Sequence, residues 1–563
     1  MTDTSPRPAS DTDTSVVTGG QSMARQLAAE GVTHIFGIPG VQLDYASNGL
    51  AAYRDQITFI NTRHEQTTTY AADGYARTTG RIGVALVVPG PGVLNAGSGL
   101  VTALACSSKI LLISGQIPGR HIGKGYGLLH EIPDQSGLLE SLCRHSTLVT
   151  EADQVAGALH GAIVRLQGAP GPVAVEIPPD VLSGRTDGAA IGPEPAGTPS
   201  PGSADDLAAA AERLSAAERP VIVAGGGAVA ADAWDELTRL AEVLGAPLVA
   251  TVNGRGAFDD RHPNAFLPLA AKELLGRADA ALVIGSRGLD NRANVPWMPD
   301  GATRIAINID PAAFTPPRDY AATVTGDARL AVAALADQLG GAGNGGERAP
   351  WLTDADDVRQ RVNDDLAELQ PQLSYADALR AAMPDDGVLI NELTQVGYVS
   401  SYAYEVRHPR SYVYPGYQGT LGYGYPTAIG AAVGNPDRAV VSINGDGGFG
   451  YGLAEMATVM NHDIPLVGVV FRDDAYGNVQ RMHRQQFDGD HHGTELTNPD
   501  LVTLAKAFDM DGHRAESPEE FQRTLADAID ARRPCLIDVP LGRLPDPWAI
   551  VMRPWSGRPA PTA

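Results

Sequence analysis

Asp446 and Asp473 are the side chains whose type and setting most clearly suit chemistry. Asp446 sits in Gly445-Asp446-Gly447-Gly448, just after the apolar, β-branched run Ala439–Ile443. Asp473 closes a second such run, Leu466–Phe471. Between them Leu453, Met456, Ala457 and Met460 recur at helical spacing before Pro465. The pattern predicts a βαβ unit whose right-handed crossover makes its strands parallel. Both carboxylates then leave the carboxyl ends of strands, where open α/β sheets bind ligands. Two carboxylates are hard oxygen ligands of the kind Mg²⁺ or Ca²⁺ takes, completed by water and phosphate oxygens. The glycines let backbone N–H groups approach a phosphate, and the following helix turns its positive end toward it. A metal-bridged diphosphate is the expected occupant; simple helix capping by Asp446 is the other reading of the same turn.

A third carboxylate, Glu65, lies in NTRHEQTTTYAADGYARTTG, past a predicted strand end and at the start of a helix carrying Ala71, Ala72 and Tyr75. By itself it complements the helix dipole. Ile38-Pro39-Gly40 and Gly90-Pro91-Gly92 read as tight strand-to-helix turns. His121 and His130 occur in the glycine-rich segment 116–137. An imidazole titrates near working pH, so either can move protons, or can simply hydrogen-bond the backbone.

The elements that must position these groups are strands alternating with helices. Strand-like runs at His34–Ile38, Ile57–Asn61, Ile82–Val88, Ile110–Ser114 and Val173–Ile177 predict a parallel sheet in a first domain, 16–182. A Gly/Pro/Ala/Thr-rich linker at 183–204 leads to a Rossmann-like domain, 205–339, whose strand Pro220–Ala224 runs into Gly225–Ala230, a G-x-G-x-x-A match. Further strands are expected to end at Ser286-Arg287 and at Asp310. No acidic residue stands about 20 positions on to hold a ribose. A second linker, 340–350, precedes a third domain, 375–541, and a proline-rich tail, 545–563, with Trp548 and Trp555. The expected class is therefore α/β, three doubly wound parallel-sheet domains.

A chain of 563 residues exceeds one core and suits two to four domains. With 42 basic and 66 acidic residues the formal charge is −24, which argues against nucleic acid or an anionic membrane surface as partner. Three cysteines without metal spacing suit a reducing cytoplasm. The polar start, MTDTSPRPASDTDTS, has no apolar signal core, and no apolar run is long enough to span a membrane.

Two separated stretches carry a resemblance. Arg63-His64-Glu65-Gln66, then Ala-Ala-Asp-Gly-Tyr-Ala-Arg, then Gly90-Pro91-Gly92-Val93-Leu94-Asn95, is similar to the pyrimidine-binding domain of thiamine-diphosphate (ThDP) enzymes. Gly445-Asp446-Gly447, followed after the family's interval by Arg472-Asp473, resembles their metal signature. The resemblance runs from Val16 to Leu541, in the branch of acetolactate synthase and benzoylformate decarboxylase. It implies that Glu65 hydrogen-bonds the aminopyrimidine ring, that Asp446, Asp473 and the carbonyl of Ala475 bind Mg²⁺, and that Leu421 is the apolar wedge bending ThDP. It further implies cofactor contacts at Pro39, Asn95, Gln395, Gly419, Gly445, Gly447, Gly448, Tyr476 and Gly477.

Arg472-Asp473 departs from the family's Asn-Asn, adding a negative charge that Arg472 is expected to offset. His130-Glu131 falls where acetolactate synthases carry Gln-Glu, making His130 the candidate proton relay and His121 a weaker one. The short stretch between Phe266 and Arg277 argues against FAD in the middle domain. The implied activity is decarboxylation of a 2-oxo acid, or its carboligation to an aldehyde or other carbonyl acceptor, through a ThDP enamine. The implied assembly is a homodimer or homotetramer, with Glu65 of one subunit meeting the metal corner of its neighbour. Two alternatives remain open at this point. One is an NAD-dependent oxidoreductase using Gly225–Ala230; the other is a non-catalytic relative that binds ThDP weakly and serves as a regulatory subunit.

Overall fold

Strands too short to stand alone alternate with helices along this chain, and they gather into three separate six-stranded parallel sheets. The computed structural model describes residues 16–194, 198–289, 301–340 and 348–552; most of the second linker and Trp555 of the tail lie outside these. One compact unit holds the described residues up to 72 and from 82 to 197; the other holds 73–81 and those from 198 onward.

In the first unit, β1 (Val17–Thr18) is followed by β2 (His34–Gly37), β3 (Thr58–Asn61), β4 (Gly83–Val87), β5 (Ile110–Gly115), β6 (His145–Leu148), β7 (Val173–Ile177) and β8 (Arg185–Thr186). The sheet order is β3-β2-β4-β5-β7-β6. Strands β4, β5 and β7 are buried along their whole length, as predominantly apolar strands in a sheet covered on both faces should be, with Ser114 and Glu176 the polar exceptions. Strand β6, with His145, Ser146 and Thr147, lay beyond the sequence expectation because it is half-buried and polar at the sheet's edge. The linker expected at 183–204 is also partly ordered, since β8 pairs antiparallel with β1.

The second unit contains two sheets. Strands β9 (Pro220–Ala224), β10 (Leu248–Ala250), β11 (Ala265–Phe266), β12 (Ala280–Ile284), β13 (Thr303–Asn308) and β14 (Ala322–Thr325) take the order β11-β10-β9-β12-β13-β14. Strands β15 (Val388–Asn391), β16 (Tyr412–Val413), β17 (Val440–Gly445), β18 (Leu466–Arg472), β19 (Asp511–Arg514) and β20 (Cys535–Pro540) take the order β16-β15-β17-β18-β20-β19. The glycines of Gly225–Ala230 have a packing reason. A Cβ on Gly225 or Gly227 would lie 2.4 or 2.7 Å from the backbone of Gly285, beyond the end of β12.

Two features join these sheets. Helix Ala349–Ala367 buries Trp351, Val358 and Val362 in one cluster with Val221, Leu274 and Val399. Arg255, 1 % exposed, donates to the carbonyl oxygen of Ser401 (2.8 Å), to that of Tyr404, and to Asp260 Oδ2 (2.7 Å). Asp260 also accepts the Val406 N–H at 2.7 Å. A buried pair of this kind is costly to break from one side, because the surviving charge stays desolvated. Asp260→Ala should destabilise the second unit by about 3–5 kcal/mol, read as a lower denaturation midpoint with an unchanged slope.

Candidate active site

Parallel sheets place their loops on the carboxyl edge, and the strand orders mark where each sheet reverses direction. In the first unit that point lies between β2 and β4, so the residues after them, Pro39 and Gly90, border one crevice. Glu65 opens helix Glu65–Thr79, and Asn95 lies on helix Pro91–Cys106. Asn95 Nδ2 donates to Glu65 Oε2 at 2.9 Å, so two residues selected from sequence meet. Pro39 is exposed in the turn after β2. His130 adopts φ 67° and sets Nδ1 3.1 Å from Gln42 Oε1. His121 packs instead beside Tyr126, ring centroids 5.6 Å apart.

Beneath this crevice is a hub that sequence reasoning missed. Glu176, fully buried in β7, accepts from Gln135 Nε2 (2.9 Å), Gln116 Nε2 (3.1 Å) and Ser136 Oγ (2.7 Å). Burial raises its pKa against the pull of these donors. Gln135 Oε1 also accepts the Gly90 N–H at 2.8 Å. One carboxyl thus anchors both ends of the glycine-rich segment and the turn beside Asn95. A single acidic residue inside the run Val173–Ile177 was its only trace in the sequence.

In the second unit the reversal lies between β15 and β17. Strand β17 extends to Gly445 and a short helix begins at Asp446, two residues later than the strand end expected at Ile443. Parallel register pairs Gly445 with Phe471, so Asp446 and Asp473 emerge side by side. Both carboxylates have raised pKa values through burial first; the charge of Asp446 adds to the rise at Asp473, which reaches about 7, and that of Asp474 to the rise at Asp446. Asn498 Nδ2 donates to Asp446 Oδ2 at 2.7 Å; Gln395 and the Ala475 N–H donate to Asp473.

The charge compensation expected of Arg472 is not what the structure shows. Its guanidinium binds Asp538 Oδ1 (3.0 Å) and Asp474 Oδ2 (2.9 Å) rather than Asp473. The side chain follows the strand alternation, which turns Arg472 to the opposite side from Asp473. The Ala475 carbonyl is fixed by a short antiparallel pairing, with Tyr476 N–H donating to Thr494 O (2.8 Å) and Leu496 N–H to Asp474 O (2.9 Å).

Close approach explains the glycines here. A Cβ would lie 2.0 Å from Asp473 Oδ2 at Gly477, 2.7 Å from the Tyr476 ring at Gly447, and 2.2 Å from Glu392 Oε1 at Gly448. Glu392, directly after β15, is the second residue sequence reasoning missed. It is 1 % exposed and accepts the Gly422 N–H at 2.8 Å. Gly419 (φ 56°) and Gly422 (φ 77°) flank Leu421, whose side chain stays 39 % exposed. Glu392 therefore holds the turn that presents the predicted wedge. An acid closing the apolar run Val388–Ile390 was the available signal.

The residues present fit a metal-bridged diphosphate. Asp446, buried, and Asp473, half-buried, are close and unpaired with any basic side chain among the described residues. Buried oxygens of Glu392, Thr394, Gln395 and Asn444 lack a hydrogen-bond partner, an arrangement that calls for a polar occupant. No cluster of three or more His, Cys, Asp or Glu suited to a metal occurs among the described residues, so the protein offers two carboxylates and a carbonyl. That leaves coordination places for water and phosphate oxygens.

Residues 17–138 match the N-terminal TPP-binding domain of thiamine pyrophosphate enzymes, 207–335 their central domain, and 394–539 their C-terminal TPP-binding domain. The chain belongs to the thiamine pyrophosphate enzyme family. It is 35 % identical over 520 residues to a probable 2-ketoarginine decarboxylase of Pseudomonas aeruginosa, covering 90 % of this chain and 91 % of the relative. It is 32 % identical to a probable acetolactate synthase large subunit of Methanocaldococcus jannaschii, covering 96 % and 94 %. To the sulfoacetaldehyde acetyltransferase of Castellaniella defragrans it is 29 % identical, covering 92 % and 91 %. As a family member, this ThDP enzyme stands in the acetolactate synthase and decarboxylase branch.

Glu392 has a testable titration. Burial lifts its pKa from 4.5 to about 7. The proton also suits its surroundings: the orphan Glu392 Oε2 and Asn444 Oδ1 lie 2.8 and 2.3 Å from the point a Cβ on Gly424 would occupy. Folded protein binds this proton more tightly than unfolded chain, so the stability penalty grows as pH rises between these two values. Glu392→Gln should match wild type near pH 4.5 and exceed it by about 3 kcal/mol at pH 8. Urea unfolding of both proteins across that range measures the difference.

Proposed function

We propose that this chain is a ThDP- and Mg²⁺-dependent enzyme that acts on a 2-oxo acid, releasing CO₂ and either protonating the remaining carbon or joining it to an aldehyde or second carbonyl acceptor. The observation that supports it best is the pair Asp446 and Asp473, a buried and a half-buried carboxylate set side by side with no basic partner among the described residues. When bound, ThDP supplies a carbon nucleophile and an electron sink for the decarboxylation.

The protein's own groups have distinct roles in this reading. Asp446, Asp473 and the Ala475 carbonyl hold Mg²⁺ and, through it, the diphosphate. Gly447 and Gly448 keep side chains away from the phosphate oxygens. Leu421, offered to solvent by its two flanking glycines, supplies an apolar surface against which the rings bend. Glu65, held at 2.9 Å by Asn95, shares a proton with the pyrimidine ring and so sets which of its nitrogens can accept one. His130 moves a proton at the substrate carbonyl oxygen or at the carbon left after CO₂ departs.

The family relation that pairs Glu65 of one subunit with the metal corner of another makes a homodimer the smallest complete enzyme in this proposal. Cys106, Cys143 and Cys535, none of them in a disulfide, suit a cytoplasmic setting. Among the described residues no helix is long and apolar enough to cross a membrane.

The deciding experiment is CO₂ release across a panel of 2-oxo acids with ThDP and Mg²⁺. The panel includes pyruvate and, because one relative is named for it, 2-ketoarginine. Turnover should require both additions, and a panel with no turnover would sink the proposal. Glu65→Gln should lower turnover by at least about a hundredfold and slow exchange of the C2 proton of bound ThDP, followed by NMR. Asp446→Ala should weaken Mg²⁺-dependent ThDP binding by more than about tenfold, measured by titration calorimetry.

A further inference from the structure

The contacts of His130 fix which of its ring nitrogens carries the proton. Gln42 sits in the single 3₁₀ turn Val41–Leu43 that follows β2 and is 7 % exposed. Its Nε2 donates to the carbonyl oxygen of Leu129 at 3.1 Å. A carbonyl oxygen only accepts, so the nitrogen end of the amide must face Leu129. The oxygen end therefore faces His130 Nδ1, at 3.1 Å. An amide oxygen also only accepts, so Nδ1 must carry a hydrogen. In the neutral ring Nε2 then holds the lone pair, and it has no hydrogen-bond partner among the described residues.

The backbone supports the same arrangement. His130 has φ 67°, a conformation a non-glycine residue adopts only when its surroundings hold it there. A Cβ on Gly90 would lie 2.3 Å from the His130 carbonyl oxygen, so the two turns press together at a position only glycine allows. Gly90 in turn is tied to Gln135 and the Glu176 hub.

We propose that Gln42 is a positioning residue that locks His130 in the Nδ1–H tautomer, leaving Nε2 as the atom that accepts and returns the substrate's proton. Gln42 touches no reacting atom in this scheme; it acts through His130. The inference rests on the proton-relay reading of His130, and the test separates the two.

The test uses full-length protein labelled with ¹⁵N-histidine, observed by NMR at a pH where the ring is neutral. Wild type should show His130 with a protonated, pyrrole-like Nδ1 and a pyridine-like Nε2. Gln42→Met, which removes both hydrogen-bonding ends, should shift the resonance pair toward the Nε2–H tautomer that free imidazoles favour. Its turnover should fall about tenfold, part of the two to four decades a positioned acid–base group contributes. Gln42→Glu retains an acceptor for Nδ1–H and should keep the wild-type tautomer; it also decides the matter if Gln42→Met fails to fold. An Nε2–H tautomer in wild type, or a tautomer lost in Gln42→Glu, would overturn the lock. His130→Gln addresses the other reading. If its turnover equals wild type while the tautomer shifts are as expected, Gln42 orients the ring but His130 is no relay.

Discussion

Parallel pairing of Gly445 with Phe471 forces two carboxylates out of adjacent strands into one buried corner, and the surrounding structure accommodates that repulsion. Two like charges in a partly dry setting cannot both stay ionised without a counter-ion. Gln395, Asn498 and backbone N–H groups donate to them, yet the nearby cation, Arg472, is spent on Asp538 and Asp474. Among the described residues no basic side chain neutralises either carboxylate. Three glycines clear the space around it, each at a distance where a single methyl group would collide with a polar or aromatic neighbour.

The first unit solves a different problem, holding mobile-looking loop sequence in a defined shape. Its means is a buried carboxyl, Glu176, with three side-chain donors. Glu392 does comparable work in the second unit, gripping the turn at Gly422 from beneath. In both places an acid at or near a strand's carboxyl end is sacrificed to architecture. The groups it supports are then free to face a ligand. Burial raises the pKa of both acids, the electrostatic cost of using a carboxyl as an internal fastening.

Much of this was legible before any coordinates. The βαβ corner followed from two apolar runs and a glycine turn, because a strand buried on both faces must be apolar throughout. Glu65 and Asn95 were separately selected and do meet. What escaped were groups whose role depends on distant partners. Gln42 and Leu129 are 87 residues apart in the chain, and Gln116 and Glu176 are 60 apart. Neither pairing leaves a periodic trace. Adjacency in sequence does not place Arg472 beside Asp473, because successive residues on a strand point to opposite faces. The polar edge strand β6 and the two-residue pairing of β1 with β8 were too short or too hydrophilic for a pattern to reveal.

That small antiparallel ribbon has a bearing on how such a chain can be remodelled. Because Val17–Thr18 and Arg185–Thr186 lie against each other, the segments that precede and follow the first unit's six-stranded sheet meet at one edge. Sequence spliced in beyond Ile191, past the hydrogen bonds that tie Gly188 to Arg25 and Ile191 to Gln26, would lengthen the connection without prying strands apart. Circular rearrangement of that unit would need only a brief bridge across the ribbon, since the old ends are already neighbours.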